Sequence, residues 1–258
     1  MLPQIRLIAS QLETPLTDMP NLNFILNYSI MWIVQWLMMS YGGKKGREPW
    51  ANTLGYYKFD SNTNDDSWNW YNGTWSGASS YTTGKIWDSA SFGWSSSISL
   101  PSWVKPSWDF TLSFRIKHNG NFVGNGDAII STNYWGARWW FVLFWYLSDG
   151  YYIQFRHSSW SLLWSLYWWT GTTYWSDNTR HHIAATYDNS TKIVKAYLDW
   201  TYISSVTLSG SPVYTTNVMT IGKSEDSYWK YYTWWLDELI IENKTRSSTD
   251  VTNYYNSI

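Results

Sequence analysis

The sequence predicts an all-β fold, an antiparallel two-sheet jelly-roll sandwich preceded by a short, helical N-terminal extension. Three observations indicate this class. From residue 54 onward apolar and polar residues alternate with a period of two, the alternating runs are short, and segments rich in Gly, Ser, Asn and Asp separate them. No long run with the helical period of 3.6 residues follows residue 50. Many short strands at this spacing are typical of sandwiches and jelly rolls.

The clearest strand is the segment 109–117. Phe110, Leu112, Phe114 and Ile116 point to one side of an extended chain, and the residues between them are polar. This pattern predicts a strand with one buried face. The other candidate strands are 54–59, 128–131, 151–155, 181–187, 193–198, 202–208, 218–222 and 236–242.

Length, charge and cysteine content limit the class of protein. The 258 residues are enough for one large β domain, predicted over 51–258, and an extension over 1–50. The net charge is −1 and 14% of the residues are charged, which argues against a basic surface for nucleic acid. The chain has no cysteine, which excludes disulfides, thiolate metal sites and cysteine nucleophiles.

The N-terminal extension differs from the rest of the chain in composition. It holds five of the six methionines, and its stretch 24–41 is mostly apolar but is interrupted by Asn27, Ser29 and Gln35. Two interpretations stay open: a membrane anchor or uncleaved export signal, and an amphipathic helix or part of a preceding domain. Under the first interpretation, 24–41 is the part of the chain that would contact a membrane.

Tryptophan is unusually abundant, with 23 Trp against 16 Gly. Trp68, Trp94 and Trp200 lie in sequences that are typical of tight turns. Such turns need a positive φ, which costs a residue with a β-carbon roughly 1–2 kcal/mol. We therefore expect the gene to come from a lineage that reads UGA as glycine, with the UGA codons shown here as tryptophan. UGG codons at positions 68, 87, 94 and 200 would contradict this hypothesis.

A series of short motifs follows one another along the β region, at 55–60, 64–67, 84–86, 90–92, 110–114, 181–188, 197–199, 220–222 and 236–239. Their order and spacing resemble those of the laminin-G-like, concanavalin A-like lectin/glucanase jelly-roll domains of bacterial surface proteins. The resemblance covers about 54–245. Tryptophans at 68, 87, 94, 200 and 234 stand where the family pattern has glycine, whereas Arg115 and Arg180 stand where it has tryptophan. These departures are what the decoding hypothesis predicts.

Oxygen-bearing side chains are concentrated in the loop 60–66, where Asp60, Asn64 and Asp65 could bind calcium. The first and last strands of such jelly rolls commonly lie side by side, which would bring Asp237 near Asp60. The resemblance adds to this expectation, because family members often hold a calcium ion at the rim of the sandwich. The alternative is a turn rich in Asp and Asn without an ion.

Binding of a carbohydrate needs exposed aromatic rings that stack on sugars, with polar groups beside them. The tryptophan pairs at 139–140 and 168–169 would serve if they are tryptophans. The remaining candidates are Tyr134, Arg138, Tyr228 and Tyr231. Together with the resemblance, this predicts a non-catalytic recognition or adhesion module at the cell surface or outside the cell, with a glycan or a surface protein as its partner. The alternative is a purely structural module of a surface assembly.

Catalytic arrangements are weakly supported. Glu238 and Glu242 share a face of their predicted strand but lie roughly 13 Å apart, with Asp237 on the other face, so they do not match a glycosidase pair. His181 and His182 are adjacent strand residues that point to opposite faces, which predicts one packed and one exposed imidazole rather than a metal site. We expect no enzyme, and a glycoside hydrolase is the least favoured function.

Overall fold

The computed structural model describes residues 51–78, 80–85, 87–93, 95–106, 108–117, 127–132, 142–146, 150–156, 162–169, 179–210, 218–223 and 234–256. The chain divides into two compact units, Met1–Lys45 and Gly46–Ile258, and every described residue belongs to the second. The segment 24–41, for which membrane contact is predicted, lies outside the described residues. Among those that are described, no helix is long and apolar enough to cross a bilayer.

The described residues form fifteen strands and a short C-terminal helix. The strands are β1 (Thr53–Tyr57), β2 (Thr74–Ser76), β3 (Tyr81–Thr83), β4 (Asp88–Ser91), β5 (Ser97–Leu100), β6 (Phe110–Lys117), β7 (Asp127–Ser131), β8 (Val142–Tyr146), β9 (Gly150–Arg156), β10 (Leu162–Trp169), β11 (Arg180–Asp188), β12 (Ile193–Leu198), β13 (Thr201–Thr207), β14 (Met219–Ile221) and β15 (Trp235–Glu242). A 3-10 turn occupies Ser102–Val104, and helix α1 occupies Ser248–Asn256.

The strands form two antiparallel sheets. The first has the order β13-β12-β11-β6-β15-β4-β3, with β1 also paired to β15. The second has the order β10-β9-β8-β7-β14-β5-β2. The predicted all-β, two-sheet antiparallel sandwich is therefore confirmed.

The core lies between the sheets and is formed by the residues that the alternation pattern marks as apolar. On β6 the side chains of Phe110, Leu112, Phe114 and Ile116 all belong to it and are at most 3% exposed. Strand β11, which pairs with β6 along its whole length, adds every second residue to the same core. Burying each large apolar side chain stabilises the fold by about 1.5–3 kcal/mol relative to leaving it in water.

The outer face of β6 is also buried, which differs from the expected strand with one solvated face. Thr111, Ser113 and Arg115 are at most 4% exposed. Part of the cover is helix α1, whose Val251 and Tyr254 pack onto the outer side of the first sheet. Polar residues can be buried on this face because they have partners: the Thr111 hydroxyl, for example, donates a hydrogen bond to the backbone carbonyl of Lys244 at 2.7 Å.

Strands β1 and β15 lie side by side, as expected for the first and last strands of this architecture. Strand β15 contains a bulge between Asp237 and Ile240, because its register with β6 shifts there. Glu238 within the bulge has a φ of 52°. A bulge changes the direction of the side chains around it, so simple alternation does not describe Asp237 and Glu238.

Positive φ values occur at eight described residues other than glycine: Phe59, Ser61, Trp68, Trp70, Lys192, Asp199, Trp200 and Glu238. The tight-turn prediction is therefore confirmed at Trp68 and Trp200. Trp234, another position where the family pattern has glycine, is 4% exposed, and its side chain packs in the core. Trp94 lies outside the described residues.

Candidate functional site

The acidic loop after β1 is organised around the buried carboxylate of Asp65. Its Oδ1 accepts hydrogen bonds from the backbone N–H groups of Tyr56 and Ser67, both at 2.9 Å. Its Oδ2 accepts from the N–H of Tyr71 at 3.0 Å and the hydroxyl of Ser67 at 2.8 Å. Asp65 in turn donates its own N–H to the side chain of Asn72 at 2.9 Å. Asp65 therefore holds the loop against β1, and both carboxylate oxygens already have donors.

Asp60 and Asp237 approach each other where the loop crosses the end of β15. Oδ2 of Asp237 accepts the N–H of Lys85 at 2.8 Å, and Oδ1 of Asp60 accepts the N–H of Asp88 at 3.1 Å. Burial, assisted by the charge of Asp60, raises the pKa of Asp237 to about 6. Burial also raises the pKa of Asp60. These two predicted ligands are thus brought together as neighbouring carboxyls.

Glu238 adds a third carboxyl to this region, which we name the acidic cluster (Asp60, Asp237 and Glu238). Its Oε2 accepts the phenolic O–H of Tyr56 at 2.5 Å. Burial, then the charges of Asp237 and Asp60, raises the pKa of Glu238 to about 7. Sequence reasoning missed this role, because it assigned Glu238 and Asp237 to opposite faces, and the bulge that alters this has no local sequence signal.

Gly84 lies against the acidic cluster. A β-carbon at this position would lie 2.7 Å from Oδ2 of Asp237 and would also collide with the backbone carbonyl of Asp88. Asp88 itself accepts a short hydrogen bond from the hydroxyl of Ser61. Asp88 had not been predicted as part of the site, because it lies 28 residues from Asp60 in the sequence.

The four predicted calcium ligands have different surroundings in the structure. Asp60 and Asp237 are close, but Asp65 is used by the loop amides and Asn64 is exposed. Within the described ranges, no three or more His, Asp or Glu residues are grouped so that they could hold a metal ion. The hydrogen bonds of Asp65 match the alternative interpretation, in which this side chain stabilises the turn. Calcium binding stays a prediction for Asp60 and Asp237.

The predicted ligand-binding residues Tyr134, Arg138, Tyr228 and Tyr231 all lie outside the described residues. Their positions relative to the acidic cluster and to one another are therefore not described. Their assignment as a ligand site stays a prediction.

The histidine pair does point to opposite faces, but the expectation of one exposed imidazole is wrong. His181 is 6% exposed and His182 1% exposed. Nδ1 of His181 lies 2.7 Å from Oδ2 of Asp199, and its Nε2 lies 3.0 Å from the hydroxyl of Thr179. His182 lies instead beside helix α1, with its ring 6.0 Å from that of Tyr254. Helix α1 covers the outer face of β11 and buries His182, whereas His181 is buried on the opposite face, where Asp199 and Thr179 contact its ring.

The two glutamates nearest to a hydrolase arrangement are both held by other side chains. Glu242 is 1% exposed and accepts two hydrogen bonds from the guanidinium of Arg246, at 2.6 and 2.9 Å. Glu238 is 3% exposed and is bonded to Tyr56. Both carboxylates are therefore buried and hydrogen-bonded to other side chains of the protein.

No protein-family model matches this chain, and no curated protein matches it. Solved structures do match the fold. The chain is similar to domain 4 of AbnA, a GH43 extracellular arabinanase from Geobacillus stearothermophilus, solved in complex with arabinotriose, with a TM-score of 0.61 and 19% identity over 79% of this chain and 98% of that one.

Toxin binding domains share the same fold. The binding domain of Paraclostridial Mosquitocidal Protein 1 matches with a TM-score of 0.68 and 15% identity, over 80% of this chain and 52% of that one. The binding domain of botulinum neurotoxin DC in complex with SialylT matches with a TM-score of 0.63 and 13% identity, over 80% and 51% of the two chains. The same binding domain has been solved with rat synaptotagmin II, with a TM-score of 0.62 and 13% identity over 80% and 52%. The chain thus spans about half of the toxin domains.

Proposed function

We propose that this protein is a non-catalytic recognition and adhesion module at the surface of a bacterium or outside it, and that its ligand is a carbohydrate. The observation behind the proposal is the shared sandwich fold with a whole accessory domain that was solved with arabinotriose. A toxin binding domain of the same fold was solved with SialylT. At this sequence identity the similarity shows a shared fold, and a fold does not by itself determine a ligand. The ligand is therefore proposed from the molecules with which the similar domains were solved, and a binding experiment tests it.

The contacts of the described carboxylates support a binding module rather than an enzyme. A glycosidase needs two carboxyls that face a substrate, about 5–5.5 Å apart in retaining enzymes and 6.5–9.5 Å in inverting ones. Here Glu242 is paired with Arg246, and Glu238 is bonded to Tyr56. Neither is available as an acid or a nucleophile.

The carbohydrate proposal predicts loss of binding when the loop tyrosines are truncated. We expect the full chain to bind a subset of a glycan array that includes arabinotriose and sialylated oligosaccharides. Tyr134→Ala or Tyr228→Ala should weaken binding at least about fivefold, because a stacked ring contributes about 1–3 kcal/mol to such contacts. Tyr202→Ala is the matched control, since this tyrosine is 48% exposed on β13 and is not a predicted ligand residue.

The outcome separates the proposed functions. Binding that survives Tyr202→Ala and is lost in the other two variants supports the lectin function. Absence of binding to every glycan by a folded chain contradicts it and favours recognition of a protein or a structural role. A neighbour that was solved with synaptotagmin II makes a protein partner the first alternative.

We also propose that Asp60 and Asp237 share a calcium ion. Asp237 is buried and Asp60 is half-buried, and desolvation raises the pKa of each, which is the cost of removing a carboxylate from water without a compensating cation. The melting temperature is expected to fall by several degrees in EDTA and to recover with excess calcium, because a ligand that binds only the folded state stabilises it. Asp237→Asn should abolish the calcium response, whereas Asp66→Asn, in the same loop but exposed, should keep it. Equal melting temperatures in EDTA and calcium would remove calcium from the proposal.

Finally, we propose that the domain is a laminin-G-like module whose gene reads UGA as glycine. This affects the function, because exposed tryptophans would otherwise be the first candidates for sugar stacking. Trp68, Trp70, Trp103 and Trp108 are each more than half exposed. Under the proposed decoding, an exposed position encoded by UGA is a glycine and has no aromatic ring. The loop tyrosines then remain the candidates for stacking on a sugar.

A further inference from the structure

The turn between β12 and β13 contains a tryptophan in a position that favours glycine. Leu198 and Thr201 are paired, so Asp199 and Trp200 alone form the loop. Their φ values are 43° and 60°. A two-residue hairpin loop with positive φ at both positions is a type I′ turn, for which Asp-Gly and Asn-Gly are the preferred sequences. Asp199 matches that preference, and residue 200 is where the glycine belongs.

The surrounding contacts determine this turn independently of the indole. The N–H of Asp199 donates to the carbonyl of His182 at 2.8 Å, and Oδ1 of Asp199 accepts the N–H of His182 at 2.8 Å. Its Oδ2 meets the ring of His181 at 2.7 Å. Asp199 is thus held at both its backbone and its side chain, and a two-residue loop closed by the pair Leu198–Thr201 favours the left-handed conformation at residue 200 whatever its side chain is.

The loop after Asp65 shows the same feature twice. Trp68 and Trp70 have φ values of 74° and 61°, close to the 82° of the genuine glycine Gly77. Asn69 between them is anchored, because its amide donates to the carbonyls of Thr53 and Leu54 at 2.9 and 3.1 Å. The two indoles are 56% and 79% exposed. The anchors impose the backbone, while the indoles are largely in solvent and recover little energy from burial.

We infer that residues 68, 70 and 200 are glycines in the native protein and that the exposed indoles at 68 and 70 are not a ligand-binding surface. The inference rests on the decoding that we propose above and assigns it to particular codons. The structure separates these three positions from Trp103, which is equally exposed at 74% but has no positive φ. It also separates them from Trp75, whose Nε1–H donates to the hydroxyl of Tyr81 at 2.8 Å.

Two measurements test the inference. In the first, the chain is made with tryptophan at every position shown and is compared with Trp68→Gly, Trp70→Gly and Trp200→Gly. Each variant should melt about 2–4 °C higher, because relief of the left-handed strain exceeds the entropic cost of glycine. Trp103→Gly is the matched control and should melt at the same temperature or lower, since glycine destabilises a helical turn. In the second, the native gene and the peptide masses are read at the same three positions.

The two results distinguish the backbone argument from the decoding. Higher melting temperatures together with UGA codons, and peptides lighter by about 130 Da for each indole that is absent, support the inference. Higher melting temperatures together with UGG codons and genuine tryptophan overturn it and the decoding, but leave the glycan proposal intact. Unchanged or lower melting temperatures in all three variants overturn the backbone argument behind the inference, and tryptophan in the native peptides overturns the inference itself. A glycan site that is lost in Trp68→Gly or Trp70→Gly also overturns it.

Discussion

Asp65→Ala is expected to lower the free energy of unfolding by about 3–5 kcal/mol, the largest effect of any single substitution in the acidic loop. The carboxylate accepts four hydrogen bonds, three of them from the backbone N–H groups of Tyr56, Ser67 and Tyr71. Alanine would leave these donors without an acceptor in a region where Asp65 is 7% exposed. Unsatisfied buried donors cost about 1–3 kcal/mol each, and the loop can relax to rehydrate some of them.

Urea unfolding monitored by tyrosine and tryptophan fluorescence would measure this change. Asp66→Ala is the matched control, because Asp66 is the next residue, is exposed and makes a 3.5 Å ion pair with Lys58 at the surface. An exposed pair of this kind contributes at most about 1 kcal/mol. Equal stability of the two variants would show that Asp65 does not organise the loop. It would return Asp65 to the set of possible calcium ligands.

The parts of the fold that could be predicted are those in which burial leaves a periodic record. Strands β6 and β11 were predicted within one residue, because each places alternate apolar side chains in the core, and β15 was predicted equally well although its bulge interrupts the alternation. Strands β2, β3, β4 and β5 were missed, because three or four residues are too few to show a period, and the longer strands β8 and β10 were missed as well. Helix α1 was missed because its buried apolar residues are Val251 and Tyr254, and two residues are too few to show a helical period. A capping box was present, however: Ser247 and Asp250 exchange hydrogen bonds at its start.

The candidate site stays a prediction, but the pairing of the first and last strands on which it depends is observed. Adjacency of the first and last strands brings Asp60 to Asp237, and the sequence was enough to expect that. The assignment of Asp65 to calcium could not anticipate that backbone amides would use its oxygens, because these amides come from residues 56, 67 and 71 in a folded loop. The participation of Glu238 depends on a bulge with a positive φ at a non-glycine residue, and no residue preference signals such a bulge.

The acidic cluster gives the second large prediction: stability should fall as pH rises from 5 to 8. The pKa of Glu238 is raised from 4.5 to about 7, and that of Asp237 from 3.8 to about 6, chiefly by burial. The folded state therefore holds these protons more tightly than the unfolded chain does. The resulting stabilisation is complete below the unfolded pKa values and is lost as pH rises through the folded ones. At 1.36 kcal/mol per pKa unit, and because the two carboxyls are coupled, we expect a loss of about 2–4 kcal/mol.

Glu238→Gln should remove much of this pH dependence, because glutamine keeps the shape and can still accept the Tyr56 hydroxyl without becoming charged. Unfolding in urea between pH 5 and pH 8, in EDTA so that no cation compensates the carboxylates, would measure it. The other charges around Glu238 are Asp237, Asp60 and Lys58. They remain in the variant, so a residual slope is expected from the two aspartates. Asp66→Asn, which removes an exposed carboxylate of the same loop, should keep the original slope. A wild-type stability that is flat or rises toward pH 8 would contradict the burial of protonated carboxyls, because two ionised groups there would then have compensating partners.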